Sequence, residues 1–188
     1  FTDYDVAPFY ADRPVPYIES DSGNIKTISA PHMIITLLHH MELAFGQEII
    51  VIGCKGGYLS ALIATIVGED GRVNVLDPSS EVVNHAKERL SHWPTIEIRS
   101  VEDLEIAPVA FPGEFNRVIL TGQIEAIPEW IKSRISDGGF VIAPLGDIDS
   151  QNLMKIEFQD NIELETNLGN VCFGPIDLDS TDNTHLHP

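Results

Sequence analysis

The densest chemical signal in this chain is a run of five residues, Gly53-Cys54-Lys55-Gly56-Gly57. It follows a nearly continuous apolar stretch, Glu48 to Gly53 (EIIVIG), and precedes Leu59, Leu62, Ile63 and Ile66 at helical spacing. A strand that turns through glycines into a helix lets the backbone approach a ligand, and the helix N-terminus favours negative groups. Asp77 ends the next apolar stretch, 24 positions after Gly53. That spacing suits a carboxylate accepting both hydroxyls of a ribose. The two features together point to an adenosine-containing cofactor. A dinucleotide fingerprint reads G-x-G-x-x-G, and this loop misses two of its three glycine positions. A sulfonium cofactor, S-adenosylmethionine, carries no pyrophosphate and tolerates the departure better. A glycine-rich turn that holds no ligand is the plain alternative.

Other candidates have plainer readings. Ser29 precedes Pro31 and reads as a helix cap. His32 then falls in the first helical turn. His39-His40 with Glu42 reads as a solvated helix face, and no metal site is expected. Asp177-x-Asp179-x-x-Asp182 lacks the glycine and terminal glutamate of a calcium loop. His185 and His187 belong to a polar tail from about residue 179. Cys54 and Cys172 read as free buried thiols of a reducing compartment. Trp93 and Trp130 read as packing residues.

The elements that must position the loop follow from periodicity. Residues 1–26 read as irregular, with Pro8, Pro14, Pro16 and the turn cluster Asp21-Ser22-Gly23-Asn24. Met33, Ile34, Leu37, Leu38 and Met41 mark a helix that starts near Pro31. After the loop helix, closed by Gly68 and Gly71, a second strand runs from Arg72 to Asp77. Ser79-Ser80-Glu81 then opens a helix with Val82, Val83, Ala86 and Leu90 inward. Further strands are expected at Thr95 to Arg99, Arg117 to Thr121 and Phe140 to Pro144. A helix from Pro128 carries Trp130, Ile131 and Ile135, and Asp137-Gly138-Gly139 stops it. This alternation predicts an α/β fold with a doubly wound, mostly parallel sheet. Leu153 to Phe158, Ile162 to Thr166 and Asn170 to Phe173 leave no room for crossover helices, so antiparallel C-terminal additions are expected. The 188 residues suit a single domain. No apolar run approaches the ~20 residues of a membrane helix, and no signal peptide is read. With 29 acidic against 11 basic residues the formal charge is −18, which argues against nucleic-acid and anionic-membrane partners.

The string Thr27-Ile28-Ser29-Ala30-Pro31-His32-Met33 adds a resemblance. It is similar to a segment of the protein-L-isoaspartate O-methyltransferases, S-adenosylmethionine-dependent repair enzymes. YADRPVP (Tyr10 to Pro16), GCKGGYLSA (Gly53 to Ala61), AIPEWIKSRISDGGFVIAPLG (Ala126 to Gly146) and NVCFGPID (Asn170 to Asp177) match in the same order. The resemblance implies a methyltransferase of class I, Rossmann-like type, cytoplasmic, acting on isoaspartyl residues of damaged peptides and proteins. It implies Ser29 as the active-site serine. It also implies Thr27, Ile28, His32, Gly53, Cys54, Gly56, Gly57, Asp77 and Glu102 as the residues that hold the cofactor. Three positions depart from the family pattern. Val51 replaces an acid before the loop, Lys55 replaces the loop's middle glycine, and Asp103 replaces a glycine beside Glu102. Val51 and Lys55 motivate a second reading, a non-catalytic member kept for binding or assembly.

Overall fold

The architecture is built outward from strand β3 (Glu48–Ile52), whose residues 49–52 are almost fully buried. The computed structural model describes residues 7–19, 23, 25–106, 113–160 and 162–176. Parallel partners flank β3 on both sides, β4 (Arg72–Asp77) and β6 (Phe115–Leu120). A strand paired on both edges and covered on both faces reads as a continuous apolar run. Beyond β4 lies β5 (Ile96–Ser100), and beyond β6 lie β7 (Ile135–Asp147), β8 (Ser150–Gln159) and β9 (Ile162–Val171). The sheet order is β5-β4-β3-β6-β7-β8-β9, parallel up to β7 and antiparallel after it. The chain winds from β3 out to β5, then returns to β6 on the other side. A crevice therefore opens at the carboxyl end of β3, where such folds place ligands.

Alternate residues of β3 feed two cores. Ile49 and Val51 face one apolar cluster with Leu37 of α2 (Pro31–His40), Ile63 of α3 (Tyr58–Val67) and Val83 of α4 (Ser80–Arg89). Ile50 and Ile52 face the other with Leu120 and with Trp130 and Ile131 of α5 (Glu129–Lys132). Ser79 caps α4, its hydroxyl accepting from Val82 N at 3.4 Å. Of the apolar residues at helical spacing in α3, Leu59 and Ile63 are buried and Ile66 is exposed.

Three expectations are corrected. The N-terminal segment is not irregular throughout. After the short α1 (Ala7–Tyr10), β1 (Val15–Glu19) and β2 (Ile25–Ile28) form an antiparallel pair, with Val15, Tyr17 and Ile28 buried. Pro16 fits because a two-stranded sheet has open edges, where a missing N–H costs no ladder bond. The helix from Pro128 ends at Lys132, and Ile135 already belongs to β7. Gly138, at φ +74°, lies in a bulge where the β6–β7 register jumps from Phe115↔Ile135 to Arg117↔Phe140. The two strands expected after residue 161 are one, β9. Most of the turn cluster at 21–24, the acidic spacing from Asp177 to Asp182, and His185 and His187 lie outside the described residues.

Candidate active site

Three neighbouring strands and a hairpin converge on the loop after β3. Gly53 takes φ +100°, and its N–H donates to Leu76 O at 2.7 Å. A Cβ there would collide with Thr121 Oγ1, the hydroxyl that donates to Gly53 O at 2.9 Å. The turn is thus strapped to the ends of β4 and β6, and only glycine fits. Lys55, Gly56 and Gly57 follow with φ of 42°, 69° and 81°. A Cβ on Gly56 would press on the Tyr17 ring at 3.2 Å, and one on Gly57 would meet Leu90 at 2.7 Å.

Asp77 is buried at the carboxyl end of β4. Its Oδ2 accepts from Cys54 N at 2.7 Å and its Oδ1 from Ser79 N at 3.0 Å. Two backbone donors therefore fix the carboxylate against the loop. Burial first, and the Asp77 charge second, push the Cys54 thiol well above its ordinary pKa. Cys54 is a small filler of the turn, and thiolate chemistry is suppressed there. Val51, just before the turn, is buried in the apolar core.

Two hollows meet at this loop. The first is lined by Tyr17, Lys26, Thr27, Gly53, Lys55 and Asp77 among others. It encloses about 570 Å³ of empty space, solvent at its mouth included. The second, about 1020 Å³ on the same measure, is lined by Thr27, Ser29, His32, Lys55, Cys172 and Phe173 among others. Thr27, Lys55 and Gly174 belong to both walls. Lys55 stands in that partition, its Nζ 5.4 Å from the centre of the Phe173 ring. The first hollow stays open beside it.

The sequence-predicted residues divide accordingly. Gly53 and Asp77 line the first hollow, Ser29 and His32 the second, and Thr27 both. Ile28, Cys54, Gly56 and Gly57 form the turn and its packing and line neither hollow. Glu102 is exposed after β5 and also lines neither. Ser29 is not the cap of α2. Ala30 holds that position without a side-chain bond, so the Ser29 hydroxyl is not committed to the helix end. His32 N donates to Asp12 Oδ1 at 2.9 Å and its Nδ1 lies 3.0 Å from both carboxylate oxygens. The backbone bond chiefly, and the ring second, hold Asp12 below its ordinary pKa. Cys172, expected to be buried, is exposed on the rim of the second hollow. Glu42 accepts from Lys155 Nζ at 2.6 Å.

Sequence reasoning missed Tyr17, Lys26, Thr121 and the strap at 173–176. Thr121 carried a usable signal, since it follows a strand at the sheet's switch point. The strap is held by Gln151, which accepts from Phe173 N at 2.7 Å and donates to its carbonyl at 2.8 Å. Gln123 N donates to Gly174 O at 2.9 Å. Nothing local announces these long-range bonds.

A parallel sheet with this switch point, glycine turn and acid after the second parallel strand defines a class I methyltransferase-type α/β domain. Solved structures agree on the fold. A Plasmodium falciparum chain described as a protein-L-isoaspartate O-methyltransferase, in complex with S-adenosyl-L-homocysteine, superposes with a TM-score of 0.72 at 23% identity, over 88% of this chain and 80% of that one. Another protein-L-isoaspartate O-methyltransferase gives a TM-score of 0.81 at 20% identity, over 92% of this chain and 55% of that one. The family model for protein-L-isoaspartate(D-aspartate) O-methyltransferase matches residues 3–179, and the chain belongs to that family. A curated relative from Methanosarcina mazei, named protein-L-isoaspartate O-methyltransferase, is 28% identical over 82% of this chain; the chain spans 61% of that relative's length. One of the same name from Methanococcoides burtonii is 27% identical over 89% of this chain and 80% of the relative.

Proposed function

We propose that the chain is an S-adenosylmethionine-dependent methyltransferase acting on the carboxylate of L-isoaspartyl residues, a repair enzyme of its family. One observation carries this reading. A hollow walled by Asp77 and the glycine turn adjoins a hollow walled by Ser29, and Thr27 and Lys55 form the shared partition. The residues present fit the cofactor, because a backbone-oriented carboxylate and the Cβ-free Gly53 line the same hollow. Asp77 would hold the ribose hydroxyls, and Gly53 with Thr27 would border the methionine portion. When bound, S-adenosylmethionine supplies an electrophilic methyl group.

The protein's own work is placement. A carboxylate is ionised at neutral pH, with an ordinary pKa near 4, so no general base is needed. The Ser29 hydroxyl donates a hydrogen bond that orients the acceptor oxygen. The methyl ester product has a better leaving group than a free carboxylate. The adjacent backbone nitrogen then closes a succinimide, which hydrolyses in part to normal aspartate without help. Family membership and the open first hollow do not favour the non-catalytic reading suggested by Val51 and Lys55. Work in the cytoplasm is part of the proposal, supported by free Cys54 and Cys172. Among the described residues no helix is long and apolar enough to cross a membrane.

The test is methyl transfer to an isoaspartyl peptide, with the normal aspartyl peptide as control. Transfer to the first alone is expected. Ser29→Ala should lose roughly 10- to 100-fold in kcat/KM, the worth of one hydrogen bond to a charged group, with unchanged affinity for S-adenosylhomocysteine. Absence of transfer by a protein that binds S-adenosylhomocysteine rejects the reading.

A further inference from the structure

Lys55 sits in the glycine turn at a position where the backbone is left-handed, φ +42°. A side chain there is strained, which calls for a compensating role. Its location suggests one. The Lys55 ammonium lies over Phe173, which lines the acceptor hollow and not the cofactor hollow. Phe173 is itself fixed by the paired bonds to Gln151. No hydrogen bond or ion pair engages the Lys55 side chain among the described residues. Lys55 is also the one lysine or arginine among the described residues lining that hollow, where Ser29 stands. His32, the other basic group there, is occupied by Asp12.

We propose that Lys55 binds the acceptor's carboxylate, its ammonium forming an ion pair with the group that the Ser29 hydroxyl orients. This rests on the methyltransferase reading and adds a second residue beside Ser29 to the acceptor hollow. The acceptor is an anion, and the body carries a formal charge of −18. A half-buried cation at the mouth of the partition offsets that repulsion where bulk salt screens poorly. An ion pair also stabilises the carboxylate and lowers its nucleophilicity. The expected signature is therefore a low KM obtained without a gain in kcat. Burial chiefly, and Lys26 in addition, lower the Lys55 pKa to about 8 against the opposing pull of Asp77, which leaves the group mostly protonated at neutral pH.

The test uses the full chain saturated with S-adenosylhomocysteine and two peptides. One carries the isoaspartyl carboxylate, and the other its carboxamide. Lys55→Met keeps the β-carbon and most of the volume, so it adds no backbone strain. It should weaken the carboxylate peptide roughly tenfold or more and leave the carboxamide peptide unchanged. Lys55→Arg should restore the discrimination. In turnover, Lys55→Met should raise KM by a similar factor without lowering kcat. Equal weakening of both peptides, or a carboxylate affinity within about twofold of wild type, overturns the assignment. Those outcomes, with S-adenosylhomocysteine binding and wild-type transfer intact, reject Lys55 alone. A wild-type protein that binds S-adenosylhomocysteine and transfers no methyl rejects the function itself.

Discussion

Asp77 braces the glycine turn with both carboxylate oxygens and lines the first hollow. Backbone donors from Cys54 and Ser79 hold them at 2.7 and 3.0 Å, tying the glycine turn and the start of α4 to the end of β4. An asparagine has one acceptor oxygen and one donor nitrogen, so Asp77→Asn turns an N–H toward one of those donors. The unfolding free energy should fall by about 1–3 kcal/mol, read from urea denaturation, and S-adenosylhomocysteine affinity should fall roughly tenfold or more. A variant of full stability and affinity would mean the carboxylate orients neither the turn nor the ribose. Lys55 gives the opposite trade. Glycine accepts φ +42° without a steric penalty, and removing a half-buried ammonium removes its desolvation cost. Lys55→Gly should stabilise the fold by about 1 kcal/mol while weakening the acceptor peptide. Urea midpoints that stay level or fall would show that the lysine is not strained.

The elements legible in the sequence were those whose stabilisation is local or repetitive. β3 and β4 announced themselves because burial on both faces demands an unbroken apolar run. The C-terminal strands did so because no helix fits between them. The β1–β2 hairpin was illegible because two prolines mask its alternation, and its partner is remote. Tyr17 packs against Gly56, 39 positions away. Gly138-Gly139 was misread because the same dipeptide ends a helix or opens a bulge, and only pairing with β6 decides which. In the site, Asp77 and Gly53 were legible from spacing, while the Gln151 clamp on Phe173 was not. A lone two-stranded hairpin is marginal in water, so β1–β2 depends on packing over the turn. Tyr17→Ala should therefore cost about 3 kcal/mol of stability, as for other aromatic truncations, and should weaken S-adenosylhomocysteine binding because Tyr17 also lines that hollow. If calorimetry finds the cofactor affinity intact, the hairpin supports only the fold.

At the scale of the whole molecule, a formal charge of −18 works against the compact state and against an anionic acceptor alike. The two effects are screened differently. Repulsion between the body and charges along a bound peptide acts over distances comparable to the Debye length, about 30 Å at 0.01 M and about 8 Å at 0.15 M salt. The proposed ion pair between Lys55 and the acceptor carboxylate is a direct contact rather than a field effect, and salt weakens such a pair less. Two isoaspartyl peptides that differ only in glutamate or lysine flanks separate these contributions. At about 0.01 M salt the glutamate-flanked peptide should show the higher KM. The gap should close near 0.5 M, with both peptides still far tighter than their carboxamide counterparts. The melting temperature should rise over the same range as self-repulsion is screened. A gap that persists at high salt would place the discrimination in direct contacts with the flanking residues rather than in the field of the acidic body.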